Sequence, residues 1–500
     1  MSPTIKPSRP SRPACPALLA AIALLFPPEA PAELLYFQGG GRAQLPATIR
    51  GDEVIVEAPD GPITFRRSDF RKIVPGHWPA KEWPACELAA RDGGVEARHA
   101  ATLWALANGL TDEATSMARS AHASDPTHAP SARMVAALDR LAEPLPDPDL
   151  AAVRPGLEAL DRTARTSHAI LFHRHPDAEA AERLALIEQV IVGYYLTLAA
   201  DGLQLPPLRH RLASAWFPDR DAYRDYLGSE HAGAFDTTRG YYHPTRDLVA
   251  AYDARSDPRQ RVARGEIDDR RREVDRLSES IAHLPPRARL KLTLPGTPAR
   301  SLDRTAALEY RDRLRRQLDW RLLELELERH AYDLGTAAHE TVHHLAARTQ
   351  LAPRHDDFPT WLHEGFASQF ESILGQRWAG VGRPHELRLP DFRSIRPSPP
   401  LAPLLRDVGF RQGYRRDAYA QAWALTYHLR VDHPQQFLTF LDLLRAPNPT
   451  PQPDRTLSAF RSAFPDPTST QETRWHRAFA HLLTPLEAND PSISPARQRD

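Results

Sequence analysis

Read for hydrophobic spacing, the chain changes period several times. Two short β-prone runs, Val54-Ile55-Val56 and Ile63-Thr64-Phe65, flank Pro59-Asp60-Gly61, a strong hairpin turn, and predict a small β unit over residues 33–85. Helical spacing follows over 86–142. One helix is expected at 100–108, a second opens at Thr111-Asp112-Glu113-Ala114 and closes at Asp125-Pro126, and a third runs to Leu141. Pro144, Pro146, Pro148 and Pro155 then mark a linker over 143–159.

From residue 160 strands and helices mix. Ala169-Ile170-Leu171-Phe172 is one strand, and 212–217 is a second. Between them Ala181, Leu184, Ile187, Ile191 and Tyr195 predict a helix over 177–200. A short helix at 219–227 comes next. Gly240-Tyr241-Tyr242 and residues 248–252 then read as a hairpin about His243-Pro244-Thr245-Arg246. Residues 254–335 are dense in charge and helical at 261–279 and 302–330, with Leu308, Leu314, Leu318, Leu322 and Leu325 in one apolar stripe. They predict an inserted helical hairpin that either gates a cleft or simply packs beside it. Further helices are expected at 418–429, 437–444 and 457–464, with a frayed polar tail after Leu486. The class is α+β, with one domain over 160–490 that carries the insertion 254–335.

Composition adds limits. Formal net charge is zero over 500 residues, which gives no global pull toward nucleic acid or an anionic membrane. Lysine occurs only at positions 6, 72, 81 and 291, so almost all positive charge is arginine. The N-terminus has a basic lead (Lys6, Arg9, Arg12), an apolar run over 17–26 and an A-x-A site at Ala30-Pro31-Ala32. Residues 1–32 therefore read as a signal peptide, too short in its apolar run to span a bilayer. The expected location is secreted, periplasmic or cell-envelope. No other stretch reads as apolar enough to span, so no stable membrane span is expected after cleavage. Cleavage removes Cys15 and leaves Cys86 alone, which excludes an internal disulfide. Glu33-Leu34-Leu35-Tyr36-Phe37-Gln38-Gly39 resembles an engineered protease-tag site, but no tag adjoins it and it is read as natural sequence.

The candidate chemistry lies in Ala337-Ala338-His339-Glu340-Thr341-Val342-His343-His344-Leu345. On a helix, residues four apart share a face, so His339 and His343 point the same way and can share one Zn2+ ion at about 2.0–2.1 Å. Glu340, one position round, can take the proton of a metal-activated water. Ala338, Val342, Leu345 and Ala346 supply the packing side. Downstream, Pro359 and Thr360 signal a new helix from which Glu364 would project. Two histidines and one glutamate form a known catalytic zinc set that leaves one position open. His344 and His363 are turned away from these positions and read as supporting or surface groups. His355, with Asp356 and Asp357, reads as an exposed loop.

Together, His339-Glu340-x-x-His343 and Trp361-Leu362-x-Glu364-Gly365-x-Ala367 resemble the gluzincin group of zinc metallopeptidases, and more narrowly bacterial secreted proteins of unknown function with a gluzincin-like domain. The close likeness covers about 334–374, and a looser one runs from Ser167 toward the C-terminal region. A metzincin would carry Gly at 346 and His at 349, where this chain has Ala346 and Thr349. The resemblance implies a zincin-like domain with a small mixed sheet. It makes Glu364 the third ligand beside His339 and His343, and Glu340 the general base. It also implies a tyrosine donor for the oxyanion, with Tyr419 and then Tyr414 as candidates beside a purely structural tyrosine. It puts an edge strand beside the metal, for which 248–252 is the candidate and an ordinary sheet strand the equal alternative. Glu371 is a candidate partner for the far nitrogen of a ligand histidine. Trp104, Leu106, Gly109, Ala114 and Pro126 resemble one tetratricopeptide-like unit, and a single copy favours a small helical unit packed on something else. The expected activity is peptide-bond hydrolysis on a peptide or protein substrate. The alternative is a non-catalytic envelope or extracellular interaction protein with a structural or vestigial zinc site.

Overall fold

The computed structural model describes residues 32–488, apart from 229–237, 293–299, 353–357, 398, 412–415, 447–453 and 467. All of the expected signal peptide but its last residue, Ala32, lies outside the described residues, as do the loop at His355 and the candidate Tyr414. The architecture is mixed, with many helices and small sheets.

Five antiparallel strands form the N-terminal unit: β1 (Ala32–Phe37), β2 (Arg42–Arg50), β3 (Glu53–Ala58), β4 (Gly61–Arg66) and β5 (Phe70–Pro75), in the order β4-β3-β2-β1-β5. The turn at Pro59-Asp60 joins β3 to β4, with Ala58 opposite Gly61. Strand β1 holds residues 33–37 of the tag-like stretch, and Gln38 and Gly39 turn after it. It is paired on both sides, with Leu34 and Leu35 fully buried, so it is part of the fold. The β strands end at Pro75. Residues 79–92 are already helical, because Pro79 starts a helix at its first turn rather than extending the unit to 85.

Four helices come next: α1 (Pro79–Asp92), α2 (Gly94–Leu106), α3 (Thr111–Ser124) and α4 (Ala129–Asp139). Their apolar faces do not close on themselves. Ala105, Leu106, Met117, Met134 and Leu138 share one continuous core with residues as distant as Trp361 and Trp475. The proline-rich stretch 143–159 differs from a free linker. The Leu145 N–H donates to the Ser167 carbonyl, Asp147 takes Arg165 and Arg211, and Val153 and Leu157 are buried. A short helix, α5 (Leu150–Val153), lies within it.

A second sheet is built from β6 (Arg162–Arg165), β7 (Ala169–His173), β8 (Leu212–Phe217), β9 (Gly240–His243) and β10 (Leu248–Tyr252), in the order β6-β7-β8-β10-β9. β7, β8 and β10 are parallel, and the two outer strands run antiparallel to their neighbours. The parallel strands are buried on both faces, in keeping with runs that are apolar apart from His173 and Ser214. One face carries Leu171, Leu212 and Trp216 toward α6 (Asp177–Asp201). The other carries Phe172, Phe217 and Tyr252 toward α7 (Arg220–Leu227). This corrects the candidate edge strand. Residues 248–252 are interior, paired to β8 and β9, and β9 is the outer strand among the described residues. The hairpin turns back outward, so the first strand of the pair, rather than the second, ends up at the rim.

Helix α6 also corrects a sequence expectation. By length and composition it is apolar enough to cross a membrane, yet 67% of its most apolar window is buried in the protein core. Both faces are apolar because both are covered, by the sheet and by the helical unit.

The charged segment is a hairpin of α8 (Pro258–Ala282) and α9 (Arg304–Arg348), with the two-strand pairing of β11 (Leu290–Leu292) and β12 (Arg300–Leu302) at its tip. It is continuous with the helix that carries the two histidines: α9 runs unbroken for 45 residues through His339 and His343. No proline interrupts 304–348, so nothing stops the helix where the insertion was expected to end. Only Leu322 of the expected stripe is buried. The deeper anchor is Leu323, inside the N-terminal core, and half-buried Trp320 packs beside it with its ring centroid 3.7 Å from that of Phe37. Ion pairs Arg316–Asp69 and Arg329–Asp60, both 2.6 Å, tie the same helix to the β unit. Beyond it come α10 (Thr360–Ala367), a small β13–β14 pairing (Ile373–Leu374 with Arg377–Trp378), α11 (Arg388–Ser394), α12 (Leu401–Leu405), α13 (Val408–Arg411) and α14 (Arg416–Asp432). Helices α15 (Pro434–Arg445), α16 (Asp454–Ala463), α17 (Thr468–His481) and α18 (Pro485–Ala488) close the C-terminal side.

Candidate metal centre

Two helices carry the donors. The C-terminal third of α9 holds His339 and His343 one turn apart, with Ala338, Val342 and Leu345 locked in the core. Helix α10 is only eight residues long and needs outside help to start. Pro359 stands at its N-cap and Thr360 is its first helical residue. The cap comes from Asp407, whose carboxylate accepts the N–H groups of Thr360 and Trp361 at 2.9 and 2.8 Å. Trp361 and Phe366 bury one side, and Gly365 faces α14 so closely that a Cβ there would meet the Ala422 carbonyl oxygen at 2.3 Å. These contacts set the angle at which Glu364 leaves the helix.

The three side chains converge. His339 Nε2 lies 3.0 Å from Glu364 Oε2 and 3.1 Å from His343 Nε2, and His343 Nε2 lies 3.7 Å from Glu364 Oε2. A tetrahedral zinc with ligands at about 2.0–2.1 Å separates them by roughly 3.3 Å. The observed spacings bracket that value, and the donors are two imidazole nitrogens and one carboxylate oxygen. The residues therefore fit a metal ion, and they form one of two such clusters among the described residues.

Charge favours a cation here. Burial pulls the His339 pKa down, but hydrogen bonds and charge from Glu364 and Glu371 more than reverse this and hold it up to about 10. Burial would raise Glu364, and the two imidazoles outweigh it and hold the carboxyl well below its ordinary range. Glu371, after the end of α10, takes His339 Nδ1 at 2.8 Å, as the candidate partner role requires. Its other oxygen accepts Arg388 Nε at 2.7 Å and lies 3.2 Å from His385 Nε2. Sequence reading did not find Arg388, His385 or Asp407. Arg388 and Asp407 sit 17 to 47 residues from their partners, with no periodic signal.

Glu340 projects beside the pair toward the sheet. The Tyr242 N–H of β9 donates to its Oε2 at 2.9 Å, and burial raises its carboxyl above the ordinary value against the pull of His343 and His339. Tyr419, on α14, has its ring centroid 6.4 Å from that of His339, and the Arg388 guanidinium lies 5.1 Å from the same tyrosine centroid. His344 is buried and not a ligand; its ring stacks on Tyr242 at 4.8 Å. His363 is buried against Phe358, with ring centroids 5.2 Å apart.

The second cluster, His175, Glu179 and Asp253, has a different character. The Arg255 guanidinium bonds Glu179 Oε2 at 2.5 Å and Asp253 Oδ2 at 2.8 Å, and Arg183 reaches Glu179 at 3.4 Å. Positive charge already fills the space between those carboxylates, so this is an ion-pair network between α6 and the end of β10 rather than a metal site.

Residues 333–450 match the family DUF1570, described as a protein of unknown function. No curated protein and no solved structure matches the chain. The matched span contains His339, Glu340, His343, Glu364, Glu371, Arg388, Asp407 and Tyr419, so every side chain named around the centre except those of β9 lies within it.

Proposed function

We propose that the chain is an exported zinc metallopeptidase of gluzincin type, with a zincin-like domain that hydrolyses peptide bonds. The observation that carries this reading is the convergence of His339, His343 and Glu364 at spacings suited to zinc, with Glu340 next to them and turned to an outer strand. Those three would hold the ion. When bound, zinc supplies Lewis acidity, bringing the pKa of water to about 7 and polarising a carbonyl.

The chain's own groups do the rest. Glu340 accepts a proton at its carboxylate and later returns it to the departing amine. Glu371 keeps His339 in the tautomer that presents Nε2 to the metal, and Arg388 keeps Glu371 ionised. β9 offers an extended peptide a strand to pair with, which aligns the scissile bond across the centre. Tyr419 is the candidate donor to the developing oxyanion. The substrate class is peptide or protein, and the leader expected at 1–32 puts the site of action outside the cytoplasm.

Two measurements test this together. Metal analysis should find one zinc per wild-type chain and much less in His339→Ala and Glu364→Ala. Cleavage of a peptide library should be blocked by a chelator and fall about 10²–10⁴-fold in Glu340→Gln with zinc retained. Equal metal in all three proteins would reject the ligand set. A zinc-loaded wild type that cuts nothing in the library would favour the interaction-protein reading.

A further inference from the structure

We infer that Asp247 is a positioning residue that clamps strand β9 to the site helix, so that the Tyr242 amide holds Glu340 in place. Asp247 stands in the β9–β10 turn with φ 52, a left-handed conformation that costs a non-glycine residue energy. The surroundings explain why it persists. Its Oδ1 accepts the Tyr242 hydroxyl at 3.0 Å and Arg348 Nε at 2.6 Å, and it lies 3.1 Å from His344 Nε2. Its Oδ2 pairs with the same Arg348 guanidinium. One carboxylate thus gathers a side chain from β9 and two from α9, just past His343.

The ring of Tyr242 completes the clamp by stacking on His344, with centroids 4.8 Å apart and planes at 26°. The same residue's backbone N–H makes the 2.9 Å bond to Glu340 Oε2. Gly240 permits the approach: a Cβ there would meet Thr336 Cγ2 at 2.6 Å and Glu340 Cγ at 2.9 Å. Asp247 acts on Glu340 through Tyr242, and its bonds run to none of the three donor side chains. With Oε2 fixed by the strand, Oε1 is the oxygen left to handle the proton. A base held this way loses rate steeply when displaced, by about 10²-fold for roughly 1 Å.

The catalytic half of this inference rests on the peptidase reading, and the clamp does not. Asp247→Asn and Tyr242→Phe are compared with wild type by site-resolved amide hydrogen exchange, zinc content and kcat on the best library peptide. Asp247→Asn should speed exchange at the Tyr242 amide about tenfold or more and leave the core amides of 186–198 unchanged. Zinc should stay at the wild-type level while kcat falls about 10–10²-fold. Tyr242→Phe removes one hydroxyl, folds where the charge change fails to, and should show the same pattern more weakly. Unchanged exchange at Tyr242 overturns the clamp, as does an equal rise throughout the core. If wild type cuts no peptide, the peptidase reading fails while exchange still decides the clamp. Faster exchange with unchanged kcat overturns the positioning role.

Discussion

At the scale of single residues, the centre depends on carboxylates that polarise imidazoles. His339 is held from both sides, by Glu364 at Nε2 and Glu371 at Nδ1. Removing the charge at Glu371 leaves the geometry but weakens the nitrogen as a donor. Glu371→Gln should therefore lower zinc affinity about 10–100-fold, measured by competition with a chromogenic chelator, with little change in fold. Unchanged affinity would mean that Glu371 serves only to pair with Arg388. The His-Glu-x-x-His set and Glu364 were legible in sequence because a helical period and a short downstream motif carry them. Asp407, Arg388 and Asp247 were not, because each stands in a turn or a short helix and meets partners with no periodic signal, 47 residues away for Asp407, 17 for Arg388 and both 5 and 101 for Asp247.

At the scale of elements, α10 is the weak part and the neighbouring helix compensates. Eight residues do not hold a helix alone. The Asp407 cap and the close contact of Gly365 with α14 fix it instead. Gly365→Ala has no room for its methyl group, since both the Ala422 carbonyl oxygen and Thr426 Oγ1 would stand 2.3 Å away. The variant should lose about 1–3 kcal/mol in chemical denaturation. It should also bind zinc less well than wild type, since Glu364 moves with the helix. Full stability and full zinc binding would show that α10 sits less tightly on α14. Sequence spacing found this helix and the strands β3, β4, β7, β8, β9 and β10. It misassigned the rim of the sheet, because strand order depends on which neighbour a hairpin meets rather than on the hairpin's own residues.

At the scale of the whole molecule, units that read as separate are stitched together. The helical unit and the second sheet meet at His168: its Nε2 faces the Leu141 carbonyl at 3.0 Å, and its Nδ1 faces Glu188 of α6 at 2.7 Å. Burial would raise the Glu188 carboxyl, but the hydrogen bond and charge of His168 outweigh it, so the folded value lies below the ordinary 4.5. A depressed carboxyl stabilises the fold above its unfolded pKa and loses that contribution as pH falls through the folded one. Glu188→Gln should therefore be less stable than wild type by about 1–3 kcal/mol at pH 6, and the gap should close as pH drops below about 4.5. A gap independent of pH would point to packing as its source. The same stitching runs along α9, which carries Leu323 in the N-terminal core and His339 in the centre on one rigid rod.

By itself the sequence determined the local periods: which stretches coil, which extend, where a hairpin turns, and that two imidazoles share a helical face with a carboxylate between them. Those outcomes come from side-chain spacing and turn chemistry within a few residues. Tertiary structure decided what meets what. It turned β9 outward, seated α10 on α14 and brought Asp407, Glu371 and Asp247 to their partners. These arrangements depend on burying apolar faces that no short stretch can bury alone, and on pairing charges that only the packed chain brings within reach.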